Sequence, residues 1–474
     1  MLFVLKVFLI LLSNLILPHK KNKVEILFLF FGVSMLFQNS MDPESICSRV
    51  WVKPIKGTRD GVEKIGLEME MHAYDSKTLA PIGTENSKLN IQDLLQRIAE
   101  ISPKSTIKYD NATGLITTVF LKAGGNFSAE PGGQVEYSSD PFEKIADLSI
   151  DVSTNLKLLE EASAGDLVFL SHGTNPIAQE NHPLILAKER YKIMTRYFNS
   201  APNIRGIDMM RHSATVQANV DIFGDENWQD AVNLTLVLIP LTAKLFANSK
   251  YFKNNKSLFY SERQEIWEHM DPTRSGFPTH MPFAENSECE YAKWAKKAYV
   301  FFVEGLPINE QPLYGELTFE NWLNNGYKGT RPTVESWETH LGTLFPHLRL
   351  RDFLEIRHID AQPFEHTLAP AAFFSVLLKT RKIRSEVWEL IQNAKIDVKN
   401  VFQSNEDFSR IHFPLIDYAC SVLEQLKEKE GMNALIAYKK FVKQKEEYWS
   451  AENALNFVQK NKTITPSLEF LRNL

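Results

Sequence analysis

Four short stretches of the sequence carry polar side chains at a spacing that suits chemistry. Gly66-Leu67-Glu68-Met69-Glu70 places two carboxylates two residues apart in an otherwise apolar run. On a strand, residues two apart face the same side, so Glu68 and Glu70 point together while Leu67, Met69 and Met71 point away. By itself this pair reads as the solvated edge of a sheet. Glu130-Pro131-Gly132-Gly133-Gln134-Val135-Glu136 adds two more carboxylates around a turn. Pro131 fixes its φ angle, and the two glycines allow conformations closed to other residues. Such a turn can aim Glu130 and Glu136 at one point, although an ordinary hairpin with polar rims has the same composition. In Thr215-Val216-Gln217-Ala218-Asn219-Val220-Asp221 the polar groups again alternate, against Val216, Ala218 and Val220 on the reverse. A wet cleft or plain solvent would both suit that face. Finally, Glu355 and Arg357 share a face by the same parity, either as a simple ion pair or as a holder of metal and phosphate together.

The four stretches gain meaning if they line one cavity. Two carboxylates ~4 Å apart repel by roughly 4 kcal/mol at an effective dielectric of about 20. Several clustered that way do not all stay ionised without cations. Hard oxygen ligands on strands suit Mg²⁺, which commonly works alongside substrate phosphates. The residues alone therefore point to a magnesium–nucleotide site and leave the substrate open.

The elements that must carry these residues follow from periodicity. Strands are predicted at 62–74, 115–122, 134–138, 166–172, 208–223 and 347–358, with a Gly-rich turn between the second and third. Helices are predicted at 87–101, 141–164, 183–199 and 228–248, and nearly everything from 362 to about 459 reads as helical. Asp140-Pro141 starts the second of these helices. The order is mixed rather than a regular β-α-β alternation, which predicts an α+β fold built on an antiparallel sheet.

Bulk properties narrow the class. The chain has 474 residues, more than the ~250–300 at which a single core usually stops growing. Its 44% hydrophobic content marks it as folded rather than disordered. A net charge of −5, from 53 basic and 58 acidic residues, gives no reason to expect nucleic acid as a partner. Cys47, Cys289 and Cys420 form no C-x-x-C pair, so a cysteine zinc site is not expected. So few cysteines in so long a chain fit a reducing compartment, and the expected location is the cytoplasm. Residues 2–17 and 26–37 are apolar runs around a basic patch (His19, Lys20, Lys21, Lys23), each short of the ~20 residues of a membrane span. Residues 1–40 are read as an extension outside the fold. The favoured explanation is a start codon assigned too early, with biosynthesis beginning at Met41; the alternative is a membrane or signal segment. A membrane is a partner only in that second case. The division expected is 1–40 as this extension, 41–380 as the catalytic core and 381–474 as a helical region packed on it.

Together these segments resemble the plant-type glutamate–cysteine ligase family, in the glutamine synthetase-like superfamily of carboxylate–amine ligases. Besides the motifs above, the resemblance rests on Arg190-Tyr191 with Met194, Asp208-Met209-Met210, Phe246-Ala247-Asn248-Ser249, Arg263 with Ile266-Trp267, Asp271 with Arg274, and Leu344-Phe345-Pro346 through Arg349 to Arg357. They run in the family's order over roughly residues 60–380. The resemblance implies a curved antiparallel sheet forming a funnel with helices outside. It implies ATP-driven joining of L-glutamate to L-cysteine through a γ-glutamyl phosphate, the first step of glutathione synthesis. A ligase using another amine acceptor, or serving ergothioneine synthesis, is the alternative. It also implies two or three Mg²⁺ ions, held by Glu68, Glu70, Glu130, Glu136, Gln217 and Glu355. Arg357 and Arg263 would be catalytic, Arg357 near the ATP phosphates and Arg263 on a substrate carboxylate. Gln134 and Asn219 would bind substrate or ATP. Where family members often place an arginine this chain has His212, with Arg211 beside it, and one of the two would take over that contact. The expected partners are small molecules (ATP, L-glutamate and L-cysteine), and the expected assembly is a monomer or homodimer.

Overall fold

The computed structural model describes residues 61–276, 281, 284, 286–396, 408–449 and 454–461. The expectations for residues 1–40, and for a start at Met41, lie outside the described residues. The chain folds as α+β, with an open antiparallel sheet of nine strands. In chain order these are β1 (Ile65–Asp75), β2 (Thr106–Tyr109), β3 (Ile116–Phe120), β4 (Asn126–Ala129), β5 (Val135–Ser138), β6 (Leu167–Leu170), β7 (Val216–Val220), β12 (Leu348–Leu350) and β13 (Leu354–Ile356). Short two-stranded pairs, β8 (Tyr251–Phe252) with β9 (Asn255–Lys256) and β10 (Ser275–Gly276) with β11 (Phe345–Pro346), lie outside it. The strand order is β12-β13-β7-β1-β5-β4-β3-β2, with β6 pairing the second half of β1.

Register does the positioning. Glu68 lies opposite Gln217 on β7 and Ser138 on β5, and Glu70 lies opposite Glu136. Further out, Glu136 faces Ser128, Asn219 faces Glu355, and Glu355 faces Arg349. Residues directly opposite in an antiparallel ladder project to the same side, so one face of the sheet is polar across six strands. The reverse face carries Leu67, Met69, Met71, Val135, Tyr137, Val216, Ala218, Val220, Leu354 and Ile356, all buried.

Helices cover that apolar face. Helix α1 (Ile91–Ile101) begins at Asn90, whose side chain accepts from the Gln92 and Asp93 amides while Asp93 reaches back to the Asn90 amide. This cap contributes about 1 kcal/mol, and its absence before residue 90 is why the helix starts later than periodicity suggests. Helix α2 (Ile145–Ser163) lies beside α1, and its Asp151 and Asn155 bond the Tyr137 hydroxyl from behind β5. Then come α3 (Glu189–Asn199), α4 (Gly206–His212), α5 (Asp225–Leu245), α6 (Glu262–Glu268), α7 (Ser287–Lys297), α8 (Phe319–Asn325) and α9 (Val334–Leu341). The C-terminal part holds α10 (Ala369–Leu377), α11 (Arg381–Asn393), α12 (Ser409–Leu426), α13 (Lys429–Tyr448) and α14 (Ala454–Asn461). Helix α10 packs on β7, with α12 and α13 packed on α10, and their side chains join the same hydrophobic core as the sheet.

Two sequence-based elements need correction. The strand expected over 208–223 is a helix to His212 and a strand only from Val216. Asp208-Met209-Met210-Arg211-His212 does not alternate; instead Met209 and Met210 bury on one side of α4, and Gly206 sits so close to Phe198 that a Cβ would lie 2.0 Å from its ring. The strand expected over 347–358 is a hairpin that turns at Arg351–Phe353, where the Arg351 amide donates to the Phe353 carbonyl. Strands β2 and β4 carry no clear signal in the sequence, and the helix expected from 183 begins only at Glu189.

Candidate active site

A cavity of about 270 Å³, near the lower end of the ~300–1,000 Å³ common for ligand sites, opens on the polar face of the sheet. Glu68, Glu70, Glu130, Glu136 and Glu355 line it, with Lys188, Arg190, Arg349, Arg351 and Arg357. Five acids thus face five bases, but they are not evenly mixed.

At the β12–β13 end the hairpin folds Arg349 back onto Glu355. Arg349 Nη1 donates to Glu355 Oε1 at 2.9 Å and Arg351 Nε to Oε2 at 2.6 Å, while Arg357 Nη1 also bonds Oε1. Despite deep burial, these three guanidiniums hold the Glu355 carboxyl far below the usual carboxylate range. Arg357 Nη1 donates as well to Gln217 Oε1 at 2.7 Å. Glu355 and Gln217, both expected as metal ligands, thus have their oxygens engaged by arginine.

At the centre and the β4–β5 end the acids have hydrogen bonds but, among the described residues, no ion pair. Asn219 Nδ2 donates to Glu68 Oε1 at 3.0 Å, and the Thr215 amide to Glu70 Oε2 at 3.1 Å. Tyr191 donates to Glu130 at 3.1 Å and Ser138 to Glu136 at 2.9 Å. Burial is the largest cause raising the Glu68, Glu70 and Glu136 carboxyls. The neighbouring acids add to it, Glu355 for Glu68 and Glu130 for the other two, and Glu70 is pushed up to about 8. The two bases on this side are turned elsewhere: Lys188 Nζ lies 4.1 Å from the Tyr191 ring centre, and Arg190 donates to the Gly342 carbonyl.

The turn carrying Glu130 is clamped to α4. Gly132 is obligatory, because a Cβ there would lie 2.1 Å from the Arg211 carbonyl oxygen. Gly133 has φ +87°, a region that favours glycine. Gln134 accepts from the Gly132 amide through Oε1 and donates through Nε2 to the Ser213 carbonyl, so although it borders the cavity its amide is used within the clamp.

Four residues expected at the site, Arg211, His212, Arg263 and Asn219, are not on its wall. Arg211 donates to the His182 carbonyl at 2.6 Å, and His212 is buried against the His182 and Phe252 rings, because α4 rather than a strand carries both. Arg263 has no exposure; it donates to the Arg357 carbonyl and lies over Trp267, 4.4 Å from the ring centre, one layer behind the cavity. Asn219 belongs to the polar face and acts there on Glu68. Lining residues given no role from the sequence include Lys188, Arg190, Tyr191, Met194, Trp267, Arg349 and Arg351. The Arg190-Tyr191-Met194 and Asp208-Met209-Met210 motifs were the signal that could have marked several of them.

Four half-buried carboxylates that, among the described residues, make no ion pair form a donor set that fits a hard divalent cation. Among the described residues no three of them close on a single point, so an ion here would draw part of its shell from water or a bound phosphate, as Mg²⁺ commonly does. Among the described residues, no helix is long and apolar enough to cross a membrane.

A family model described as glutamate-cysteine ligase family 2 matches residues 64–410. A chloroplastic glutamate–cysteine ligase of Medicago truncatula is 28% identical over 369 residues, covering 75% of this chain and 68% of that one. The chloroplastic glutamate–cysteine ligase A of Oryza sativa subsp. indica is 30% identical over 326 residues, covering 66% and 63%. The chain thus spans about two thirds of the length of these relatives. Among solved structures, a glutamate–cysteine ligase from Francisella tularensis in complex with AMP overlays on 86% of the chain at 12% identity, with a TM-score of 0.49. That overlay is loose; the strand pairing above fixes the fold by itself.

Proposed function

The chain belongs to glutamate–cysteine ligase family 2, whose model spans 64–410, and on that premise we propose that it joins the γ-carboxyl of glutamate to the α-amine of cysteine, driven by ATP. The products are γ-glutamylcysteine, ADP and phosphate. In the first step a glutamate carboxylate oxygen bonds to the γ-phosphorus of ATP and ADP departs. In the second the cysteine amine attacks the acyl carbon, gives up a proton, and phosphate leaves.

One observation carries this reading: half-buried carboxylates and a knot of three arginines face each other across one cavity. Phosphoryl transfer spreads negative charge over the moving group, and most of its catalysis is charge already in place. Arg349, Arg351 and Arg357 offer that charge, and Glu355 keeps their forks oriented. Glu68, Glu70, Glu130 and Glu136 would hold Mg²⁺, with Gln217 and Glu355 available once their arginines turn to phosphate. Bound Mg²⁺ would supply charge neutralisation to the phosphates. The acyl phosphate needs protection from water, and the apolar side of the cavity (Tyr191, Met194, Met209, Met210, Trp267 and Phe345) provides a wall that carries little of it.

The test is phosphate release from ATP by the full chain, with L-glutamate and a panel of amines that includes L-cysteine. Release should require both glutamate and an amine, with cysteine preferred. Equal release without glutamate would refute an acyl-phosphate step, and indifference to cysteine would refute the acceptor.

A further inference from the structure

We infer that Asp360 is a positioning residue of this site: it fixes the buried Arg263 guanidinium, and through it the Arg357 backbone and the Trp267 ring. The inference rests on the ligase reading above and extends it to a residue outside the cavity. The Asp360 carboxylate is 1% exposed and accepts from the Asn248 amide at 2.7 Å, the Ser249 hydroxyl at 2.7 Å and the Ser261 hydroxyl at 2.9 Å. Its Oδ1 lies 3.9 Å from Arg263 Nη1. Ser249 accepts in turn from the Arg263 amide at 3.1 Å, so both the backbone and the head of Arg263 are set by one cluster.

Arg263 passes this placement to the cavity wall. Its Nη2 donates to the Arg357 carbonyl at 3.0 Å, and its guanidinium lies over Trp267, 4.4 Å from the ring centre, with the Arg357 guanidinium also over that ring at 5.7 Å. Among the described residues, Arg263 Nε and Nη1 have no hydrogen-bond acceptor. A buried guanidinium so sparsely bonded depends on a nearby counter-charge to stay where it is. Asp360 faces it most closely, and Glu70 is the other acid acting on it. The fold makes room for this carboxylate: Gly173 lies so close that a Cβ there would sit 2.7 Å from Asp360 Cγ. The Asn248-Ser249 motif, singled out in the sequence without a role, finds one as the cradle of Asp360.

The experiment is a double-mutant cycle on the full chain with D360N, R263K and D360N/R263K. The readouts are kcat, KM for glutamate and for ATP, the thermal midpoint, and Kd for magnesium ADP by calorimetry. Asn keeps one oxygen for the Asn248 amide and the Ser249 hydroxyl, and its amino group can donate to the Ser261 hydroxyl oxygen, so D360N should fold. We expect D360N to lower kcat at least tenfold with KM for glutamate changed less than threefold. In the R263K background the same change should cost less than twofold, because its effect passes through Arg263. Losses that multiply in the double variant, or a D360N enzyme with half of normal kcat, would overturn the inference. Should D360N fail to fold, S261A removes one donor from the same carboxylate, and its loss must likewise vanish in the R263K background. Wild-type protein that consumes no ATP with glutamate and cysteine would defeat the proposed reaction alone; the coupling would then be read from the Kd for magnesium ADP.

Discussion

Replacing Glu70 by Gln should stabilise the metal-free protein while removing its activity. Among the described residues Glu70 makes no ion pair, and burial, then the Glu130 charge, outweigh the pull of Arg263 and Arg357 and push its carboxyl up to about 8. In the unfolded chain the same group ionises near 4.5. The folded state therefore binds the proton more tightly, and stability falls as pH rises from 4.5 to about 8. At about 1.4 kcal/mol per pH unit, the accumulated cost at pH 7 is about 3 kcal/mol. Gln has the same shape, carries no charge and can still accept from the Thr215 amide. With an unfolding entropy of ~2 cal/mol/K per residue over the roughly 380 described residues, about 3 kcal/mol corresponds to a rise in Tm of about 4 °C. Differential scanning calorimetry in EDTA at several pH values measures it. The gain of E70Q over wild type should be small at pH 5, grow to pH 8 and then level off. Adding Mg²⁺ should raise the Tm of the wild type and leave E70Q behind, since ligand carboxylates must ionise to bind. An E70Q protein no more stable than wild type at pH 7.5, or a gain that ignores pH, would refute the picture of an unpaired acidic cluster.

Glu355→Ala should do the opposite. It strands Arg349 and Arg357, whose side chains are 9% and 10% exposed, without their shared counter-ion. A loss of about 3–5 kcal/mol in urea unfolding is expected, with little of it from the half-exposed Arg351. A variant as stable as wild type would show that Glu355 does not organise the arginines. Buried histidines predict a separate acid limb. Burial holds His72 and His340 neutral, with pKa values lowered to about 3. In the unfolded chain they protonate near 6.5, so their contribution is complete above that pH and declines as pH falls toward 3. At pH 5 the decline is about 2 kcal/mol for each. Denaturant titrations are best made in the E70Q background, where the opposite slope of Glu70 is gone; constant stability from pH 7 down to 4.5 would contradict the assignment.

The acidic half of the site, apart from Glu130 on its turn, was legible in the sequence because it depends on strand parity. Glu68 and Glu70, or Gln217 and Asn219, face one way in any strand that contains them, and the apolar residues between them say which way. The basic half was not legible, because it depends on a turn. Read as one strand, Arg349 and Glu355 would stand six residues and about 20 Å apart; the hairpin at Arg351–Phe353 makes them partners at 2.9 Å. Likewise, nothing in the sequence near Arg263 shows that Asp360, nearly a hundred residues later, is its counter-charge. The two halves are also joined by register alone. Glu68 meets Gln217, and Gln217 meets Arg357, only because β7 lies between β1 and β13 in this alignment. A slip of one residue in β7 would turn Gln217 and Asn219 into the apolar layer and bring Val216, Ala218 and Val220 to the cavity. That exchange buries two amides and exposes three apolar side chains. The packing of α10 against Val216, Ala218 and Val220 on the far side is thus what keeps the acids and the arginines facing the same space.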